Sequence, residues 1–437
     1  MQRKWPCFFF GSLSLLLTIV VPASVAFASS TEQVLYRFQG GSDGNSPQAS
    51  MIADKAGNLY GTTSLGGGSA NCTNGCGTAF KLAPPTQTGG AWTETILHSF
   101  QGGADGATPF GGLIADAAGN LFGMTSAGGN GNCANVGLTG CGTVFELSPS
   151  GTGWTYQVIY SFQGVPSGNG NGDAGWPNAL AFDKVGNLFG TAYDGGHCVT
   201  NETGTNCYGA VFELKKPSGS GGWNEHIVLR FFGPTGGPAS ATFDKAGNLY
   251  GTALWGTFGF GLVFKLAPPT GKSGWTESAI YNFQGNGDGG FPLPGLVFDA
   301  AGNLYGACLG PGYGFSSVFR LSPVQGGGFS ESVLYNFTPV SQGYLPTGGP
   351  ILGKNGDLFG TTSEGGAVSR GAVYDLVPSG GAYTENVLYS FQGGTDGAVP
   401  AGGLNFGKGG ALYGTTAIGG GTGCGGNGCG TVFRVMP

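Results

Sequence analysis

Apolar residues along this chain fall into short runs, each ended by Gly, Asn or Asp, and the runs return in one order. The first run is followed by a polar turn and then a Leu-aromatic-Gly-Thr segment, as in MIADKAGNLYGTTSLGG (51–67) and LIADAAGNLFGMTSAGG (113–129). Further copies start at Leu180, Ala241, Phe298, Pro350 and Leu404. Each copy continues into a run such as GTVFEL (142–147), and all but the last into one such as VLYSF (387–391). The pattern predicts four short strands per copy, here a, b, c and d. The Asp-x-x-Gly-Asn between a and b is read as a tight hairpin, with Asp bonding the backbone and Gly taking positive φ.

The closing residues Phe38, Phe100, Phe162, Phe231, Phe283, Phe337 and Phe391 recur at intervals of roughly 50–70 residues, the spacing of four-stranded propeller blades. The seventh copy lacks a closing run, and the missing strand sits at the other end of the chain as VLYRF (34–38). The expected fold is therefore an all-β, seven-bladed β-propeller of four-stranded antiparallel blades. Strand 34–38 pairs into the C-terminal blade. Blades are expected over about 49–100, 111–162, 178–231, 239–283, 295–337, 349–391 and 402–437 plus 31–38. Apolar residues on both strand faces, as in Val387-Leu388-Tyr389, fit blades covered on each side by a neighbour.

Composition agrees with a folded chain rich in turns. Gly is 93 of 437 residues and charged residues are only 9%, yet aromatics are 12% and hydrophobics 40%, ample apolar area to bury. Residues 1–28 read as a signal peptide: Arg3 and Lys4, an apolar run, then Ala26-Phe27-Ala28 as a cleavage pattern. The mature chain, 29–437, is expected to be one secreted propeller, extracellular or periplasmic, monomeric and without a membrane span. Removing Arg3 and Lys4 takes the formal charge from −6 to −8, which excludes nucleic acid as a partner.

These segments, with Asp-Gly-x-x-Pro, Gly-Asn-Leu-Tyr-Gly-Thr-Thr, Gly-Gly, Gly-Thr-Val-Phe-x-Leu and Val-Leu-Tyr-Ser-Phe, resemble the Gloeo/Verruco tandem repeat of secreted bacterial proteins. The resemblance extends over residues 31 to 437 and implies no established activity. Many such proteins carry a C-terminal surface anchor. This chain ends at the last repeat strand.

Variation between copies is concentrated in the b–c and d–a connections, which emerge on one face of such a ring, and that face is the candidate binding surface. Four b–c loops carry cysteine pairs: Cys72/Cys76, Cys133/Cys141, Cys198/Cys207 and Cys424/Cys429. They are expected to be local disulfides recurring at one repeat position, each contributing roughly 2–3 kcal/mol. Zinc binding by Cys72, Cys76, Cys424 and Cys429 is the alternative. Cys308 is read as a buried strand residue. The other copies carry aromatics on this face, Trp255, Phe258, Phe260, Tyr313 and Phe315, with Phe291, Tyr344 and Trp176 in d–a loops. Such rings can stack on sugars or fill gaps between blades. Asp43, Asp105, Asp173, Asp288 and Asp396 recur in the d–a loops. They are read as turn residues, with Ca²⁺ or substrate hydroxyls as the sharper alternative and no other cofactor expected.

No Ser elbow, metal-ligand pair or phosphate loop is present, and His98, His197 and His226 are scattered. Three functions stay open: a binding module for glycan or an extracellular protein, a polysaccharide hydrolase or lyase using loop-face carboxylates, and a structural surface or matrix protein.

Overall fold

The structure is a computed structural model that describes residues 31–87, 89–133, 140–165, 170–201, 204–219, 221–271, 274–311, 316–338 and 343–437. Seven antiparallel sheets follow one another along the chain, each with strand order a-b-c-d. In blade 1 these are Ile52–Ala53, Leu59–Thr63, Thr78–Ala83 and Thr93–Ser99. Blade 7 consists of Gly397–Phe406, Leu412–Gly419 and Thr431–Val435, completed by the N-terminal strand Glu32–Arg37. That strand runs antiparallel to the last one, Glu32 opposite Val435 and Arg37 opposite Thr431.

Two repeat residues acquire their reason in the packing. The Phe that ends strand d is buried in every blade and meets a ring on strand c of the next blade. The pairs are Phe38–Phe80, Phe100–Phe145, Phe162–Phe212, Phe231–Phe264, Phe283–Phe319, Phe337–Tyr374 and Phe391–Phe433, with centroids 4.9–5.4 Å apart. Phe38–Phe80 joins blade 7 to blade 1, so the series closes on itself. The strand-c ring in turn lies over the Gly of the Leu-aromatic-Gly-Thr segment: a Cβ on Gly123 would stand 2.4 Å from Phe145 Cζ. A second lock lies near the far end of the blades, where Trp154 meets Tyr60, Trp223 meets Phe122 and Trp275 meets Phe189 across successive interfaces.

The run Val-Leu-Tyr breaks strict alternation because strand d carries a bulge. Opposite Ala79 and Phe80 stand His98 and Ile96, which leaves Leu97 unpaired, and the other sheets shift register at the same place. The a–b turn is as read. Asp54 accepts the Asn58 backbone N–H (2.9 Å) and side-chain amide (2.7 Å), and Tyr60 OH donates to it as well.

One boundary differs from expectation. The Asp-Gly-x-x-Pro segment, read as loop, forms the outer half of strand a in several blades, as in Gly170–Phe182 and Gly397–Phe406, with a register break before the inner half. The residue before each Pro, ahead of that break, takes positive φ: Ser46, Thr108, Trp176, Gly237, Phe291, Leu345 and Val399, at 52–64°. In six of them, all but Leu345, the N–H donates to the preceding blade, for example Thr108 to Cys76 O (2.8 Å) and Val399 to Arg370 O (2.9 Å). The Pro then covers the Gly opening that blade's strand c, and a Cβ on Gly142 would meet Pro177 Cδ at 2.7 Å.

Blade 6 carries Tyr374 where the other strands c carry Phe, and its buried hydroxyl has no partner among the described residues. Tyr374→Phe is expected to stabilise the protein by about 1–3 kcal/mol, the cost of an unmade buried hydrogen bond, read as a rise in thermal midpoint. Gly123→Val should lower it sharply, because the new side chain must displace the Phe145 ring.

Candidate binding face

An axial cavity of about 820 Å³ is lined by all seven blades, with Ser50, Phe110, Asn178, Ala239, Leu296, Thr347 and Ala401 as one lining residue from each. No charged side chain is among its lining residues. The ends of strands b and the residues after the repeated Pro contribute Tyr193, Leu254 and Phe110, on the side of the b–c and d–a connections.

From this mouth an aromatic surface extends outward over blades 3 to 5. Tyr193 is 36% exposed and Trp255 45%, and both flank Gly237, where a Cβ would meet Tyr193 Cε2 at 3.1 Å and Trp255 Cδ1 at 3.5 Å. Gly237 is the one glycine among the seven pre-proline residues, so the two rings close over main chain. Trp255 meets the edge of Phe291 at 5.9 Å, and Phe291 meets Phe260 at the same distance. Phe258 is 56% exposed beside them. In blade 3 strands a and b run on past the ring edge as Gly170–Phe182 and Leu188–Asn201, and Cys198 stands opposite Cys207 in the added hairpin. His197 on this flap lies 4.6 Å from the ring of Phe232, itself 51% exposed, and bonds Asn171 Oδ1 through Nδ1 (2.8 Å).

The sequence-derived residues separate into two groups. Trp255 and Phe258 are exposed on the face. Phe260 is a packing residue whose ring covers Gly285. Trp176 and Phe291 are the half-buried pre-proline residues whose N–H groups dock on Cys141 O (2.9 Å) and Phe260 O (2.7 Å). Tyr344 is half-buried opposite Glu364 in blade 6, beyond the Trp255 cluster. Tyr313 and Phe315 lie outside the described residues. Tyr193, Phe110 and Phe232 were missed. Their signal was a departure from the repeat: Tyr193 replaces the Ser of copies 1, 2 and 6, and Phe232 replaces the Gln that follows the closing Phe in five of the other six copies.

The d–a aspartates hold their own turns. Asp173 accepts from Gln163 N (2.7 Å), Ala174 N (2.6 Å) and Tyr160 OH (3.0 Å). Burial nevertheless raises its carboxyl above the usual range, against the pull of those donors and of Arg230. Asp288 accepts from Tyr281 OH, Gln284 N and Gly285 N, each at 2.9 Å. Asp43, Asp105 and Asp396 repeat the pattern, with His98 in the tyrosine's place beside Asp105. Among the described residues none of these aspartates belongs to a group of three or more close potential metal ligands. Among the described residues the sole group of potential ligands is Asp194, Cys198 and Cys207, and both cysteines are in a disulfide.

All four cysteine pairs form disulfides, so Cys72, Cys76, Cys424 and Cys429 are two bridges and not one tetrathiolate. The positions are not all equivalent, which corrects the expectation from spacing. Cys76, Cys141 and Cys429 directly precede the Gly that opens strand c, and their bridges pack on Gly102, Gly164 and Gly40. In blade 3 that position is Tyr208, and Cys207 instead crosses to Cys198 in the flap. Phe260 fills the same niche in blade 4, and Arg370 approaches the matching Gly393 in blade 6. Cys308 is buried and unpaired as read. Among the described residues no helix is long and apolar enough to cross a membrane.

A family profile described as the Gloeobacter/Verrucomicrobia repeat matches residues 23–199 and 197–433. The chain belongs to this repeat family. Among solved structures it is similar to a protein from Lactobacillus plantarum, with 11% identity, 78% of this chain and 85% of that one covered, and a TM-score of 0.51. It is also similar to the PQQ-bound aldose sugar dehydrogenase of Streptomyces coelicolor (12% identity, 94% and 99% covered, TM-score 0.40). A gluconolactonase of Xanthomonas campestris matches at 12% identity, 68% and 79% covered, TM-score 0.39. No curated protein matches the chain. At these identities the structural likeness bears on the fold alone.

Full reduction of this repeat protein should leave its β-sheet circular dichroism intact at room temperature and lower its thermal midpoint, each bridge closing a short loop for roughly 2 kcal/mol. Intact mass without reductant checks the pairing: the four bridges account for all cysteines but Cys7 and Cys308.

Proposed function

We propose that the protein is a secreted binding module that holds uncharged glycan on the b–c/d–a face, across the mouth of the axial cavity. The observation that carries this reading is the continuous aromatic surface Tyr193–Trp255–Phe291, solvent-facing at Tyr193 and Trp255 and adjoining a cavity whose lining bears no charge. Aromatic faces take up the C–H face of a sugar ring, while backbone groups and the neutral Gln48 side chain at the cavity can hydrogen-bond hydroxyls without selecting for ionic groups. Disulfides on the same face and the N-terminal apolar segment support export to an oxidising compartment. Against polysaccharide cleavage, the d–a aspartates are engaged in turns, and none lines the cavity.

The purified mature protein is to be passed over a panel of insoluble neutral polysaccharides, following retention and reducing-end release. The double variant Trp255→Ala/Tyr193→Ala should weaken retention about tenfold or more, close to 1.4 kcal/mol. Val185→Ala, 77% exposed in an a–b turn, should leave it unchanged. Equal retention by wild type and the double variant overturns the reading, and release of reducing ends replaces it with an enzyme.

A further inference from the structure

Strand d carries a glutamate at one repeat position, as Glu32, Glu94, Glu225, Glu277, Glu331 and Glu385, with Tyr156 in the remaining copy. In four blades this glutamate is electrostatically coupled to the d–a aspartate at the start of its own blade: Glu32 to Asp396, Glu94 to Asp43, Glu225 to Asp173 and Glu331 to Asp288. In all four, Oε1 is buried without a hydrogen-bond partner among the described residues. The aspartates are already committed, each accepting a backbone N–H and a tyrosine hydroxyl, as Asp396 does from Gln392 N (2.7 Å) and Tyr389 OH (3.0 Å). An ionised glutamate here would put a second negative charge beside an aspartate whose donors are already engaged, with no donor of its own.

The remaining blades show what happens when one member is missing. No aspartate precedes blade 4, and Glu277 stands exposed. None precedes blade 6, where Glu385 accepts the Tyr335 hydroxyl at 2.8 Å through Oε2 and its Oε1, buried as in the other four, lies against Gly343 with no second carboxylate beside it. Blade 2 has Tyr156 in place of the acid, stacked on His98 at 3.6 Å, and that imidazole meets Asp105. The carboxyl pair therefore belongs to the blades in which both acids occur.

The pair at the chain's closing seam is the most exposed to consequence. Glu32 lies on the strand Glu32–Arg37 that completes blade 7, and Asp396 Oδ1 is likewise buried without a donor. A proton on Glu32 removes one of the two negative charges at the seam. We propose that docking of the N-terminal strand onto the last blade is proton-linked: Glu32 enters the seam as a neutral acid facing Asp396, and its ionisation loosens the seam.

The groups facing Glu32 are Asp396 and Tyr389 across the seam and Arg37 on its own strand, whose Nε is tied to Thr395 O at 2.8 Å. Glu94 faces Asp43 and Tyr36. Glu225 faces Asp173, Tyr160 and Arg230. Glu331 faces Asp288, Tyr281 and the buried Cys308. Burial first and the aspartate second hold each of the four glutamates at about 7, against an ordinary 4.5, with Arg37 and Arg230 pulling the other way at Glu32 and Glu225. An acid whose folded-state value is raised binds its proton more tightly in the folded chain. Its contribution to stability is complete below about 4.5 and is lost as pH rises through about 7. The glutamates are only partly buried, so solvent screening reduces the size of the effect.

Thermal midpoints and hydrogen exchange of the full mature chain at pH 5 to 8, constant ionic strength and correction for intrinsic exchange test this. The midpoint should fall from pH 5 to 8, and protection of the amides in 33–37 should fall about tenfold. Glu32→Gln should make that protection independent of pH, and Asp396→Asn should do the same from the other side. Glu32→Gln/Glu94→Gln/Glu225→Gln/Glu331→Gln should flatten the midpoint profile. Protection that is constant or rises from pH 5 to 8, or a Glu32→Gln or Asp396→Asn protein that keeps the wild-type dependence, overturns the proposal.

Discussion

Each blade is fastened to the next by one aromatic ring standing edge-on to another, the Phe that ends strand d against the ring on the neighbour's strand c. Such a contact is worth about 0.5–1.5 kcal/mol beyond the area it buries, and seven of them together reach the order of a whole domain's stability. The rest of the repeat serves this contact. Glycine stands on strand b because the ring lies over it, and the strand-d bulge turns Phe100 and its equivalents into the interface. No blade can satisfy its two faces alone, so the ring is stable only when closed, and Phe38–Phe80 makes the N-terminal strand part of that closure.

Main chain, not side chain, carries the second set of contacts between blades. In six copies the pre-proline residue donates its N–H to the preceding blade in a left-handed conformation that a branched residue such as Val399 or Thr108 adopts only under constraint. The side chain at that position is therefore free to vary, and it does: Ser, Thr, Trp, Gly, Phe, Leu and Val occupy it around the ring. The same economy governs the niche beside the turn after strand d, filled by a disulfide in blades 1, 2 and 7 and by the Phe260 ring in blade 4. A uniform framework thus carries a face that differs from blade to blade, and the aromatic surface over blades 3 to 5 is where the differences add up.

Charge is scarce, and what remains is used in place. Five aspartates close a–b turns through their asparagines, and in Asp54, Asp244 and Asp299 these hydrogen bonds outweigh burial and lower the carboxyl below its ordinary value. Five more organise the d–a turns. The glutamates beside four of them are shifted the opposite way, because burial and a neighbouring carboxylate act together there with few donors to oppose them.

Periodicity alone determined the number of blades, the strand order and the seam, since a four-strand unit repeated seven times with one strand displaced to the far terminus has one compact solution. The cysteine pairs were legible too, because each lies within a single loop. What the one-dimensional pattern did not contain was proximity between copies. Phe260 and Trp255 look alike in sequence, yet one fills a niche and the other faces solvent, which depends on whether a glycine of the next turn lies beneath the ring. Tyr193 and Phe110 joined the face because the ring brings positions from different blades to one axial mouth. The glutamate of strand d, unremarkable along the chain, acquired its carboxylate neighbour when the start of each blade folded back beside its last strand.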